Sequence, residues 1–242
     1  MQPGSPTGPR TRTMQPCLPA RSTLMAHFGN RPEIDHRTIK LIVGGVALGL
    51  APLTIALSPA PIASISASYH EGGAAQSVFV GFLFAIAALL LAYNGLSRTE
   101  MILSKGAAAA GLGVALFPCT CGRYAVPLPW MHGLAASVMF LILAWFCLIF
   151  WRRARAKRHT RALRRARLYA LCGAAIVLSM AVLALNGLLG NAWLQAVPRL
   201  VLYGETTALT AFGIAWLTAS HALPWLNQAD ERFAPWRANN PP

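Results

Sequence analysis

Six long apolar runs, separated by short polar or basic stretches, account for most of this chain. They cover about residues 39–58, 77–96, 101–117, 131–151, 168–189 and 200–219. Runs of this length and continuity read as membrane-spanning helices rather than as the scattered core positions of a water-soluble domain. The fourth run is framed by Trp130 and Trp151, 21 residues apart. At the helical rise this spans roughly 31 Å, one hydrocarbon core with an aromatic side chain at each interface. The third run is the shortest and is rich in Ala and Gly. The expected fold is therefore all-α: an integral membrane bundle of six transmembrane helices. Residues 1–38, rich in Pro, Arg, Ser and Thr without an apolar period, read as a disordered tail. Residues 39–219 form the transmembrane domain and residues 220–242 a second tail. Small residues such as Ala63 follow the first run and would suit cleavage of a signal peptide, yet a run of this length is expected to stay as an anchor.

Charge gives the bundle a direction. The chain is 55% hydrophobic and only 12% charged, about half the charge usual in a soluble domain. Its net charge of +14 is concentrated: nine of the 21 Lys and Arg residues fall within residues 152–167, between two apolar runs. That placement marks a membrane edge rather than a nucleic-acid surface, and no nucleic-acid partner is expected. With alternating connections, one side carries 19 basic residues and the other only Arg123 and Arg199. Both termini are thus expected in the cytoplasm, in a bacterial-type inner (plasma) membrane. Arg152, Arg153, Arg155, Lys157 and Arg158 are the expected contacts to anionic lipid, each worth about 1 kcal/mol near such a surface. Connections under 20 residues leave no room for a soluble domain, so packing is between helices. Gly45-x-x-x-Gly49 and Ala109-x-x-x-Gly113 are small-residue pairs suited to close helix approach. The oligomeric state has no signature in the sequence.

The reactive side chains collect on the outer side. Ser66, Tyr69 and His70 lie in the first outer connection, Cys119 and Cys121 in the second, and Arg199 in the third. His132 opens the fourth run, and Glu205 sits about one turn inside the sixth, where a charge needs a partner. His70, His132 and Glu205 have the chemistry of zinc or copper ligands, with a position left open for catalysis, although no pair has the spacing of a helical metal motif. Cys119 and Cys121, the two cysteines facing the oxidising side, are candidates for a disulfide across one intervening residue. The plain alternative is that His70, His132 and Glu205 hydrogen-bond one another and tie three spans together. Ser66-x-x-x-His70 resembles an element of alkaline-ceramidase and adiponectin-receptor hydrolases. Those use seven spans and also need an Asp and a late His-x-x-x-His; here no Asp occurs between Asp35 and Asp230, and the late histidine is His221 alone.

A wider pattern joins Ser66-Ala-Ser-Tyr-His70, Phe79-Val-Gly-Phe-Leu-Phe-Ala85, Ala92-Tyr-Asn-Gly95 and Val114-Ala-Leu-Phe-Pro118 to His132. It ends in Tyr203-Gly-Glu205 and Phe212-Gly-Ile-Ala-Trp-Leu217. Over about residues 40–220 this resembles uncharacterised six-span bacterial inner-membrane proteins, loosely similar to DRAM/Sfk-like membrane proteins. The resemblance implies a six-helix bundle and no agreed activity. The expected function is that of a non-enzymatic multi-pass membrane protein whose outer His/Glu cluster binds a lipid or small molecule. A metal-dependent membrane hydrolase or thiol redox enzyme on the same cluster is the alternative. No cofactor is required by the sequence, and zinc or copper is what the donor atoms would accept.

Overall fold

The computed structural model describes Met1, residues 35–121 and residues 125–233. Residues 2–34, residues 122–124 with Arg123 among them, and the last nine residues lie outside the described residues. Apart from Met1, everything described falls in one compact unit, Ile34–Pro242. It is entirely helical among the described residues: α1 His36–Leu57, α2 Ser68–Glu71, α3 Gly73–Ala92, α4 Arg98–Leu116, α5 Pro129–Ala156, α6 Thr160–Leu188, α7 Ala192–Ala196 and α8 Leu200–Ala219. A single 3-10 turn follows at Pro224–Leu226.

The six long helices close into a ring. Each packs on its neighbours along the chain, and α8 completes the ring against both α6 and α1. Five of them, α1, α3, α5, α6 and α8, are long and apolar enough to cross a membrane. The third expected span, α4, is not in that set; Arg98, Glu100 and Lys105 fall within its first eight residues and lower its hydropathy. It is nonetheless 19 residues long and packs between α3 and α5.

Local sequence sets the helix ends. Asp35 caps α1 by accepting the N–H of Arg37 at 2.9 Å, and His159 caps α6 by accepting that of Ala162 at 3.2 Å. Ser97 does the same for Glu100 at 3.3 Å, satisfying donors that a helix start leaves without partners. Just before α4, Gly95 sits at φ +64°. A Cβ there would lie 2.4 Å from that of Glu100, so both the conformation and the space call for glycine. Where the ring closes, α1 and α8 nearly touch: a Cβ on Gly44 would come within 2.8 Å of the Leu217 nitrogen. Gly45, by contrast, faces open space. In α4, Gly113 meets Ala135 of α5 closely, a Cβ falling 2.9 Å from that side chain.

The core is aromatic toward the end where α1 begins. Trp216 is fully buried, with the rings of Tyr93, Phe146 and Phe212 at 5.4–5.5 Å in tilted or edge-on contacts. Lys40 lies over Tyr93 and Phe150, 5.4 and 5.3 Å from their centres, so its ammonium meets ring faces instead of water.

Candidate functional site

The two ends of the ring differ in chemistry. At one end α1 starts, α3 turns into α4, α5 turns into α6, and α8 finishes. All four ion pairs found among the described residues lie here. Glu100, fully buried, is paired with Arg153 and accepts the Tyr93 hydroxyl at 3.2 Å. The segment after α8 folds back on α6: Glu231 accepts from Arg165 at 2.8 Å and Lys157 at 2.6 Å. These donors, Arg165 foremost, hold the Glu231 carboxyl well below the usual carboxylate range. Burial, together with the charges of Arg165, Arg37 and Lys157, pushes His221 down to about 4. Arg161 donates to the Asn227 carbonyl at 2.6 Å. The residues expected to touch lipid therefore divide. Arg153 and Lys157 are committed to acidic partners, whereas Arg152, Arg155 and Arg158 are exposed around the α5–α6 turn.

The opposite end is assembled from three connections. Between α1 and α3 the chain buries Ser64, Ile65, Ser66 and Ser68. Ser64 Oγ accepts the N–H of Ala67 at 3.0 Å, and Ser68 Oγ donates to the Ile65 carbonyl at 2.6 Å. These turns place the N–H groups of Ile65 and Ser66 facing α8. Glu205 takes them: one carboxylate oxygen accepts Ile65 N–H at 2.5 Å and Ser66 N–H at 3.4 Å. The other accepts the Ser66 hydroxyl at 2.9 Å. In return, Leu202 in the first turn of α8 donates to the Ala63 carbonyl at 3.1 Å. A carboxylate at this depth thus meets three donors from one loop, which offsets part of its desolvation.

Both histidines are fastened to the α4–α5 connection. His132 Nδ1 donates to the Phe117 carbonyl at 2.8 Å, and His70 Nε2 donates to the Cys119 carbonyl at the same distance. A carbonyl only accepts, so each bond fixes where a ring proton sits. Cys119 and Cys121 are joined in a disulfide, and Ser64 Oγ approaches Cys121 Sγ at 3.9 Å.

These pieces surround a cavity of about 1030 Å³ between α5, α6 and α8. Ser64, Ser66, the Cys119–Cys121 pair, His132 and Glu205 give it a polar end. Phe140, Leu141, Val177 and Met180 are among its apolar walls. His132 and Glu205 also share a smaller void of about 30 Å³ just beneath, room for about one water. His70 is directed elsewhere. With Tyr69, whose ring lies 5.6 Å from its own, it lines a separate pocket of about 330 Å³ beside Gln76 and Pro118. Arg199 is exposed just before α8.

Of the three expected metal ligands, then, the structure brings His132 and Glu205 to one cavity and places His70 with the cysteines. Among the described residues, the three side chains whose donor atoms gather tightly enough for an ion are His70, Cys119 and Cys121, within 4.8 Å of one another. Sequence reasoning missed Ser64 in the cavity wall and the backbone N–H groups that Glu205 accepts. It also missed Asn186, whose amide binds Asn191 Oδ1 at 3.0 Å and whose Oδ1 accepts Trp193 N–H at 3.1 Å, closing the α6–α7 turn.

No family model, curated protein or solved structure matches this chain.

Proposed function

We propose that the chain is a non-enzymatic, six-span protein of a bacterial-type inner membrane that holds a small molecule or lipid in the cavity between α5, α6 and α8. The observation that carries this reading is the placement of Glu205 and His132 on one cavity whose lining is otherwise mostly apolar. Such a chamber suits an amphiphile: a polar head with a hydrogen-bond donor or positive charge against Glu205, and an apolar body along Phe140, Val177 and Met180. Two features support six spans and cytoplasmic termini. α4 occupies a full place in the ring between two apolar helices. Among the described residues, every Lys and Arg except Arg199 belongs to the end where α1 begins, as the positive-inside rule requires. The resemblance to six-span bacterial inner-membrane proteins points the same way.

The test is mass spectrometry of molecules extracted from purified protein. Wild-type protein is expected to carry a bound amphiphile that is depleted in Glu205→Gln and in the cavity-filling Ala136→Phe. Identical extracts from all three proteins would refute the reading.

A second reading follows from the grouping of His70, Cys119 and Cys121. Reduced to thiols, this trio would offer two thiolates and an imidazole to zinc or copper, the basis for a metal-dependent hydrolase or thiol redox enzyme. Metal analysis of the reduced protein separates the two readings. Stoichiometric metal, lost in His70→Ala and kept in His132→Ala, would favour this one over the cavity.

A further inference from the structure

Of the arginines in the basic segment that lack an acidic partner among the described residues, Arg164 and Arg167 lie exposed on α6, whereas three at the α5–α6 turn share one pocket. Arg153, Lys157 and Arg165 bind Glu100 or Glu231, and Arg161 binds a backbone carbonyl. Arg152, Arg155 and Arg158 have no acidic partner among the described residues. They surround a pocket of about 430 Å³ together with Trp151, Ala156 and Leu163. We propose that this pocket binds phosphate, taken as the headgroup of an anionic phospholipid.

The geometry favours a built site over diffuse charge. The Arg155 guanidinium lies 5.3 Å from the centre of the Trp151 ring. That contact positions the cation through its face and leaves its N–H donors for a ligand. Arg158 is held at φ +55°, a left-handed conformation that a non-glycine residue seldom adopts. The turn keeps it there, and it is one of the residues lining the pocket. Guanidinium groups match phosphate oxygens with paired donors. The exposed Leu163 and the Trp151 ring supply an apolar margin, which a phosphodiester with attached acyl chains uses and free phosphate does not. The assignment to a lipid rests on the reading of this end as the cytoplasmic membrane edge.

Native mass spectrometry of the detergent-purified chain tests it, with phosphatidylglycerol titrated against phosphatidylcholine. Two variants remove equal charge: R152Q/R155Q from the pocket and R164Q/R167Q from exposed positions on α6. The pocket pair is expected to weaken phosphatidylglycerol binding about tenfold, the loss of a few charge-assisted hydrogen bonds, and the α6 pair less than about twofold. Equal losses in both variants, or equal binding of phosphatidylcholine, would overturn the proposal. Inorganic phosphate is the third arm. If it binds alone and depends on Arg152 and Arg155 as strongly as the lipid does, the lipid assignment falls. Loss of the cavity ligand in Glu205→Gln leaves this result untouched. Failure of the membrane reading itself would show in wild-type protein as partition into the aqueous fraction, whatever the arginines do.

Discussion

Glu205, in the second turn of α8, accepts the backbone N–H of Ile65, 140 residues earlier, at 2.5 Å. A carboxylate from the last span therefore shapes the connection between the first two apolar runs. The same side chain faces the cavity, so one residue both supports the cavity wall and gives it a polar group.

Glu205→Ala should destabilise the protein by about 1.5–3 kcal/mol, since it leaves the N–H groups of Ile65 and Ser66 and the Ser66 hydroxyl without their acceptor. Glu205→Gln keeps one acceptor oxygen and should lose less. Unfolding of the detergent-solubilised variants measures the difference. An alanine variant as stable as wild type would show that these hydrogen bonds contribute nothing.

Glu100 and Arg153 form the other tie between distant segments, joining the starts of α4 and the end of α5. Removing Arg153 strands the charge of the fully buried Glu100, at a cost of about 3–5 kcal/mol; removing Glu100 leaves an arginine that water partly reaches, and costs less. Arg153→Met should therefore destabilise more than Glu100→Gln, and the double variant by less than their sum. A double-mutant cycle in unfolding experiments checks this; simple additivity would mean that the two side chains do not interact.

Acid should loosen the segment after α8 in two stages. Burial first, then nearby positive charge, lowers His221 from its ordinary 6.5 to about 4, so the fold favours its neutral form. That contribution is complete above pH 6.5 and is lost as pH falls toward 4. Hydrogen bonds from Arg165 and Lys157 hold the Glu231 carboxyl far below 4.5, so its contribution is complete above pH 4.5 and lost below. Thermal midpoints across pH should fall through both windows in wild type. His221→Asn should flatten the upper limb and keep the lower. Matching profiles for the two proteins would remove His221 from the account.

The apolar runs led to the six long helices because hydropathy is a property of continuous sequence, and most ends fall within about five residues; α6 begins at Thr160, eight residues ahead of its run, because the helix continues through the basic segment. Even the charged start of α4 announces itself: Ser97-x-x-Glu100 is a helix-capping pattern, and Ser97 does cap α4. What local pattern could not show was the partner of Glu100, since Arg153 lies 53 residues away. Helix rotation is the other hidden variable. Gly44 and Gly45 are adjacent, yet successive residues on a helix point about 100° apart, and only Gly44 meets α8.

The same limit applies to the His/Glu cluster. Alternating spans put His70, His132 and Glu205 at one end of the bundle, but topology says nothing of which way each side chain turns. His132 shares its cavity with Glu205 because α5 and α8 both border that space. His70 belongs to the short helix α2 and is drawn to the Cys119 carbonyl. Backbone acceptors and donors, which carry no signature in sequence, make that choice.

The central claim is that the Glu205 cavity faces outward and the arginine-rich turn faces the cytoplasm. Single cysteines at exposed Gln195 and Arg158, placed in a background with the native cysteines replaced, test it with a membrane-impermeant maleimide. Gln195→Cys should be labelled in intact spheroplasts, and Arg158→Cys only after the membrane is opened. Labelling of Arg158→Cys in intact spheroplasts, with Gln195→Cys protected, would contradict the orientation and the account built on it.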